Sequence, residues 1–88
     1  MSARDKMIRL VLCDSADHER IDRLVAAINH LGGIADDPEQ GLEPATGFNR
    51  YRFPARGTEI SIFRDAWMID LAGPEEFVEQ ILELMRRD

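Results

Sequence analysis

One cysteine, one tryptophan, one tyrosine and two histidines are all that the 88 residues hold of the side chains most often found at reactive centres. The lone Cys13 excludes an intramolecular disulfide and leaves no thiolate set for a structural metal. That economy suits a reducing compartment, so a cytoplasmic location is expected. His18 and His30 stand on one predicted helix, far beyond the three- or four-residue spacing that lets two ligands share an ion. No cofactor is expected. Basic residues are also scarce: 11 Lys and Arg face 17 Asp and Glu, for a net charge of −6. A nucleic-acid partner is excluded by that balance, because phosphate binding needs a concentrated basic surface. A basic protein partner is admitted by it. A long apolar run is missing as well. The stretch "MSARDKMIRLVLCD" has an apolar run only as long as a strand, so neither a signal peptide nor a membrane span is read there, and no membrane association is expected.

What is present is an ordered, amphipathic chain, 44% apolar and 32% charged. It is long enough for one small domain, 1–88, with a thin stability margin that self-association would widen. "KMIRLVLC" (6–13) reads as a strand with Ile8, Leu10 and Leu12 on one side and Arg9, Val11 and Cys13 on the other. "DSADHERIDRLVAAINHLGG" (14–33) reads as a helix. Asp14 or Ser15 caps it, Ile21, Leu24, Val25, Ile28 and Leu31 form its apolar stripe, and Gly32 and Gly33 end it. "IADDPEQGLEPATGF" (34–48) has no period and is long for a loop in so small a domain; it is expected to be mobile, with "DPEQ" forming one helical turn around Pro38.

"NRYRFPARGTEISIFRDAWMIDLAG" (49–73) reads as a three-stranded meander with turns at Arg56-Gly57 and Asp65-Ala66. Those turns oppose Phe53 to Ile60, Tyr51 to Ile62, Ile62 to Ile69 and Ile60 to Leu71. "GPEEFVEQILELMRRD" (73–88) reads as a second helix, with Pro74 at its first position and acids and bases at the ends the dipole favours.

The expected fold is an α+β two-layer sandwich of order β-α-β-β-β-α. Two helices cover one face of a four-stranded mixed sheet, the first strand running parallel to the strand that begins at residue 49. Tyr51, Phe53, Ile60, Ile62, Trp67, Ile69 and Leu71 make the covered face. Period two then turns Phe63 and Met68 outward among Arg50, Arg52, Glu59, Ser61 and Asp70. In this register Phe63 and Met68 are cross-strand neighbours with Arg50 beside them, and Arg52 and Asp70 pair over Ser61. An apolar spot ringed by charge on an uncovered face marks an interface.

Other constellations carry less. Cys13 lies just before a helix N-terminus, where thiolates can be stabilised, but Asp14, Asp17 and Glu19 surround it and raise a thiol pKa instead. Ser15 has no base and orienting partner in pattern. Asp36, Asp37, Glu39 and Glu43 lack the alternation and central glycine of a calcium loop and read more simply as a solvated acidic loop, which can equally present negative charge to a basic groove on another protein. Arg64 and Trp67 are placed as a cation–π pair at the strand ends, with Trp67 under a helix end.

The leading reading is a non-enzymatic protein-interaction domain: a small acidic inhibitor, an immunity- or antitoxin-like protein, or an adaptor. Its partner is another protein, with self-association into a homodimer as a further expectation. The partner-binding residues are Phe63, Met68, Arg50, Arg52, Asp70, Asp36, Asp37 and Glu39. The alternative is a regulatory domain that binds a small molecule at a dimer seam or between the 34–48 loop and the sheet end. An enzyme built on Cys13 is third.

Overall fold

A computed structural model describes residues 6–37 and 39–87. Its elements are β1 (Met7–Asp14), α1 (His18–His30), β2 (Ile34–Ala35), β3 (Gly47–Phe53), β4 (Thr58–Arg64), β5 (Met68–Pro74) and α2 (Glu75–Arg86). The α+β class holds, but the sheet has five strands, in the order β1-β5-β4-β3-β2. Every neighbouring pair is antiparallel, so the sheet is not mixed. The additional strand is β2, two residues opposite Arg52 and Tyr51. It reverses the chain once more between α1 and β3, and β1 therefore runs opposite to β3 rather than parallel to it. Helix α1 carries the chain from the β1 edge to the β2 edge, and the meander β2-β3-β4-β5 then returns strand by strand to β1.

Both meander registers differ from the sequence reading by two residues. Tyr51 faces Ile60 and Asn49 faces Ile62. Ile62 faces Leu71 and Phe63 faces Asp70. The cause lies in the turns. Pro54–Arg56 form a short 3-10 turn, and Gly57 follows at φ 64°, a left-handed conformation that glycine adopts without strain. The connection thus takes four residues and pairs Phe53 with Thr58. At the second turn the Asp65 amide donates to the Met68 carbonyl, which leaves Ala66-Trp67 as the turn pair. The Asp65 carboxylate accepts from the amides of Trp67 (2.8 Å) and Met68 (2.7 Å), and these bonds hold its carboxyl below the usual carboxylate range. A slip of two residues keeps every side chain on its own face, so the face assignment survives the register error.

Tyr51, Phe53, Ile60, Ile62, Ile69 and Leu71 are fully enclosed beneath the helices with Ile21, Leu24, Ile28, Val78 and Ile81. Phe53 and Phe77 meet edge to face at 4.6 Å. Gly33 lies where a methyl group would fall 2.5 Å from Ile28 and 2.7 Å from the Phe53 ring, so the chain leaving α1 packs there only without a side chain. Two placements are corrected. Trp67 is 74% exposed at the turn, not under a helix. Cys13 does not share a face with Arg9 and Val11: a bulge between Val11 and Cys13 turns both Leu12 and Cys13 inward. The helix termini also shift. Asp17, not Asp14 or Ser15, caps α1 by accepting from the Arg20 amide at 3.1 Å, and Pro74 closes β5 before α2 begins. Pro38, around which a helical turn was read, lies outside the described residues. No helix among the described residues is long and apolar enough to cross a membrane.

Candidate functional site

Among the described residues nothing covers the face of the sheet opposite the helices. Period two projects Met7, Arg9 and Val11 from β1, Met68, Asp70 and Ala72 from β5, Glu59, Ser61 and Phe63 from β4, and Phe48, Arg50 and Arg52 from β3 onto it. Phe48 and Phe63 stand directly opposite each other, with ring centroids 5.2 Å apart and planes tilted by 53°. Such aromatic pairs are worth about 0.5–1.5 kcal/mol beyond the area they bury. The Arg9 guanidinium reaches across β5, lies 4.0 Å from the Phe63 ring centre and bonds the Asp70 carboxylate at 3.0 Å. Arg50 lies 5.9 Å from the Phe48 ring and between the carboxylates of Asp36 (3.4 Å) and Glu59 (3.9 Å). Arg52 takes the other oxygen of Asp36 at 3.1 Å. A shallow depression of about 260 Å³ opens between Arg9, Phe48, Phe63 and Asp70.

The structure therefore brings Phe63, Arg50, Arg52, Asp70 and Asp36 onto one face, in pairings other than those expected. Phe63 and Met68 are not cross-strand neighbours: Phe63 faces Asp70 and Phe48, and Met68 faces Asp14. Arg52 and Asp70 do not pair over Ser61: Asp70 is held by Arg9, and Arg52 by Asp36. Asp37 and Glu39 sit apart in the exposed loop, where the Asp37 carboxylate accepts the Glu39 amide at 3.2 Å. Phe48, 56% exposed and central to the patch, was missed. Its signal was its parity with Arg50 and Arg52, hidden because residue 48 was assigned to the loop.

Three arginines and three acids meet on this face, so it is balanced in charge although the chain carries −6. The acid excess lies elsewhere, partly in the 34–48 loop. That loop is pinned to the sheet end. The Asn49 side chain accepts from Gln40 (2.8 Å) and from the Ala45 amide (3.1 Å), and donates to the Ala45 carbonyl (2.7 Å). The Tyr51 hydroxyl donates to the Leu42 carbonyl at 3.0 Å, and Pro44 is fully buried. Arg64 does not stack on Trp67; it turns inward to the carbonyls of Ser15 and Pro44. Burial pushes the Cys13 thiol up, with Asp17 adding to it and Arg20 opposing.

Comparison with known proteins gave no match, whether to a family model, to a curated protein or to a solved structure.

Proposed function

We propose that this is a non-enzymatic interaction domain whose uncovered sheet face docks another protein, in the manner of a small inhibitor or adaptor. The observation that carries the reading is the Phe48–Phe63 pair, framed by Arg9–Asp70 and Arg50–Asp36 and left without a covering layer among the described residues. Aromatic and arginine side chains at the centre of an open patch are the residues that dominate binding energy at interfaces. Charge balance on this face selects a partner surface that is apolar with mixed charge. A basic partner would find its acids at Asp37, Glu39 and Glu43 instead, on the adjoining loop. The unpaired cysteine fits action in a reducing, cytoplasmic setting.

Phe48→Glu is the test, because Phe48 is already half exposed and the change leaves the core untouched. Proteins retained by the immobilised wild type from its native host extract should be lost from Phe48→Glu, with thermal unfolding of the two chains alike. Identical retention by both chains would sink the reading.

A further inference from the structure

Strand β1 is an edge of the sheet: β5 pairs with one side of it, and among the described residues no strand lies on the other. The Glu75 amide donates to the Lys6 carbonyl at 2.7 Å, which makes positions 6 and 75 a hydrogen-bonded pair. Bonded and non-bonded pairs alternate along an antiparallel ladder. The main-chain groups of Ile8 and Leu10 therefore serve β5, and those of Met7, Arg9 and Val11 point away from it. Pro74 opposite Met7 agrees with this alternation, because proline has no amide to give. Beside this free edge a groove of about 770 Å³ runs under α1 and the end of α2, lined by Leu10, Leu12, Arg20, Arg23, Leu82 and Met85. Ile8, Leu10 and Leu82 are only half covered, since the helices do not close over the edge strand.

We propose that β1 pairs antiparallel with β1 of a second copy across a two-fold axis at Leu10. The occupant must add a strand to the edge and lay apolar side chains at alternate positions into the groove. β1 itself has that pattern in Ile8, Leu10 and Leu12. The groove carries arginines together with Asp17 and Glu19, so it selects no strongly charged peptide and is complementary to itself. An axis through Arg9 would set two guanidinium groups directly opposite, which destabilises a strand pair. An axis at Leu10 instead sets Arg9 against the partner's Val11 on the open face, and Leu10 against its own copy over the groove. The bulge after Val11 bounds the pairing at its far end. A two-fold axis perpendicular to the sheet keeps both helix layers on one side and both open faces on the other. If the interaction reading above is right, the pair offers its partner a continuous surface of twice the area; the strand pairing itself does not depend on that reading.

Sedimentation over a range of concentrations tests this with three variants. Arg9→Pro deletes an amide that faces outward while sparing every main-chain bond to β5; it also removes the side-chain bond to Asp70, as Arg9→Ala does, and should weaken the dimer by at least about tenfold with an unchanged circular dichroism spectrum. Arg9→Ala removes the side chain but keeps the amide, and should still dimerise. Leu10→Cys in a Cys13→Ser background should give a disulfide-linked dimer under mild oxidation, because residues facing each other at a non-bonded pair lie about 4.5 Å apart. The proposal is overturned if the wild type stays monomeric to about millimolar concentration, if folded Arg9→Pro dimerises as the wild type does, or if Leu10→Cys fails to cross-link in a chain that dimerises. A loss of partner capture by Phe48→Glu with the dimer intact separates the two surfaces.

Discussion

The Arg64 guanidinium donates to both the hydroxyl (3.2 Å) and the main-chain carbonyl (3.0 Å) of Ser15, a residue 49 positions away in the chain. The same side chain donates to the Pro44 carbonyl at 2.7 Å and lies 3.5 Å from the Glu43 carboxylate. One largely buried cation thus ties the β1–α1 loop and the 34–48 loop to the end of β4. Removing it takes the arginine donors from two part-buried carbonyl bonds. Arg64→Ala is expected to cost about 2–3 kcal/mol in chemical denaturation. Amide exchange around Ser15 and Ala45 should quicken more than exchange in β5. Arg64→Lys should recover less than half of the loss, because one ammonium cannot reproduce the fork. A cost under about 0.5 kcal/mol would mean that the loops hold themselves in place.

Tyr51 makes the same loop a source of alkaline instability. Its hydroxyl is enclosed and donates to the Leu42 carbonyl. Burial, then the nearby Glu43 carboxylate, raise its pKa from 10 to about 12, with Arg64 opposing. The folded value lies above the unfolded one, so this contribution is complete below pH 10 and is lost as pH rises toward 12. Its full size is about 2–3 kcal/mol. Tyr51 is the only tyrosine, so tyrosinate absorbance reports it alone. The native titration midpoint should sit near 12, and the stability of Tyr51→Phe should fall less steeply than that of the wild type between the two pH limits. A native midpoint at the ordinary tyrosine value would show the ring to be solvated.

These two residues mark what the sequence made legible and what it did not. The face each strand residue occupies was readable because the side-chain period of two survives any even slip in register: Ile60, Ile62, Ile69 and Leu71 are buried as the alternation requires. Turn geometry was not readable: Pro54–Gly57 closes over four residues through a 3-10 turn, and the two-residue turn at Ala66-Trp67 sits one residue beyond Asp65-Ala66, held by bonds to the Asp65 carboxylate rather than by a glycine. Strand β2 is too short to show a period. The bulge that turns Cys13 inward has no signature in "RLVLCD". Yet Asn49 and Arg64 stand at inward parity in otherwise apolar strands, and a polar side chain in that position needs enclosed partners. That signal was present, and it pointed to the pinning of the 34–48 loop, which the loop's own composition concealed.

Cys13 supplies the discriminating measurement for the enzymatic alternative. Its thiol is enclosed, and its pKa is raised by burial first and by Asp17 next, so little thiolate exists at neutral pH. A nucleophile needs the opposite on both counts. Alkylation of the native chain at pH 7 is expected to be slower than that of the unfolded chain by about a hundredfold or more. The rate should climb with denaturant in step with unfolding, as for a group exposed only by opening. Cys13→Ala should cost about 1 kcal/mol and leave both dimerisation and partner capture as in the wild type. A native thiol that alkylates as fast as the unfolded one, together with loss of function in a folded Cys13→Ala chain, would move the chemistry of this domain from its open sheet face to the loop that follows β1.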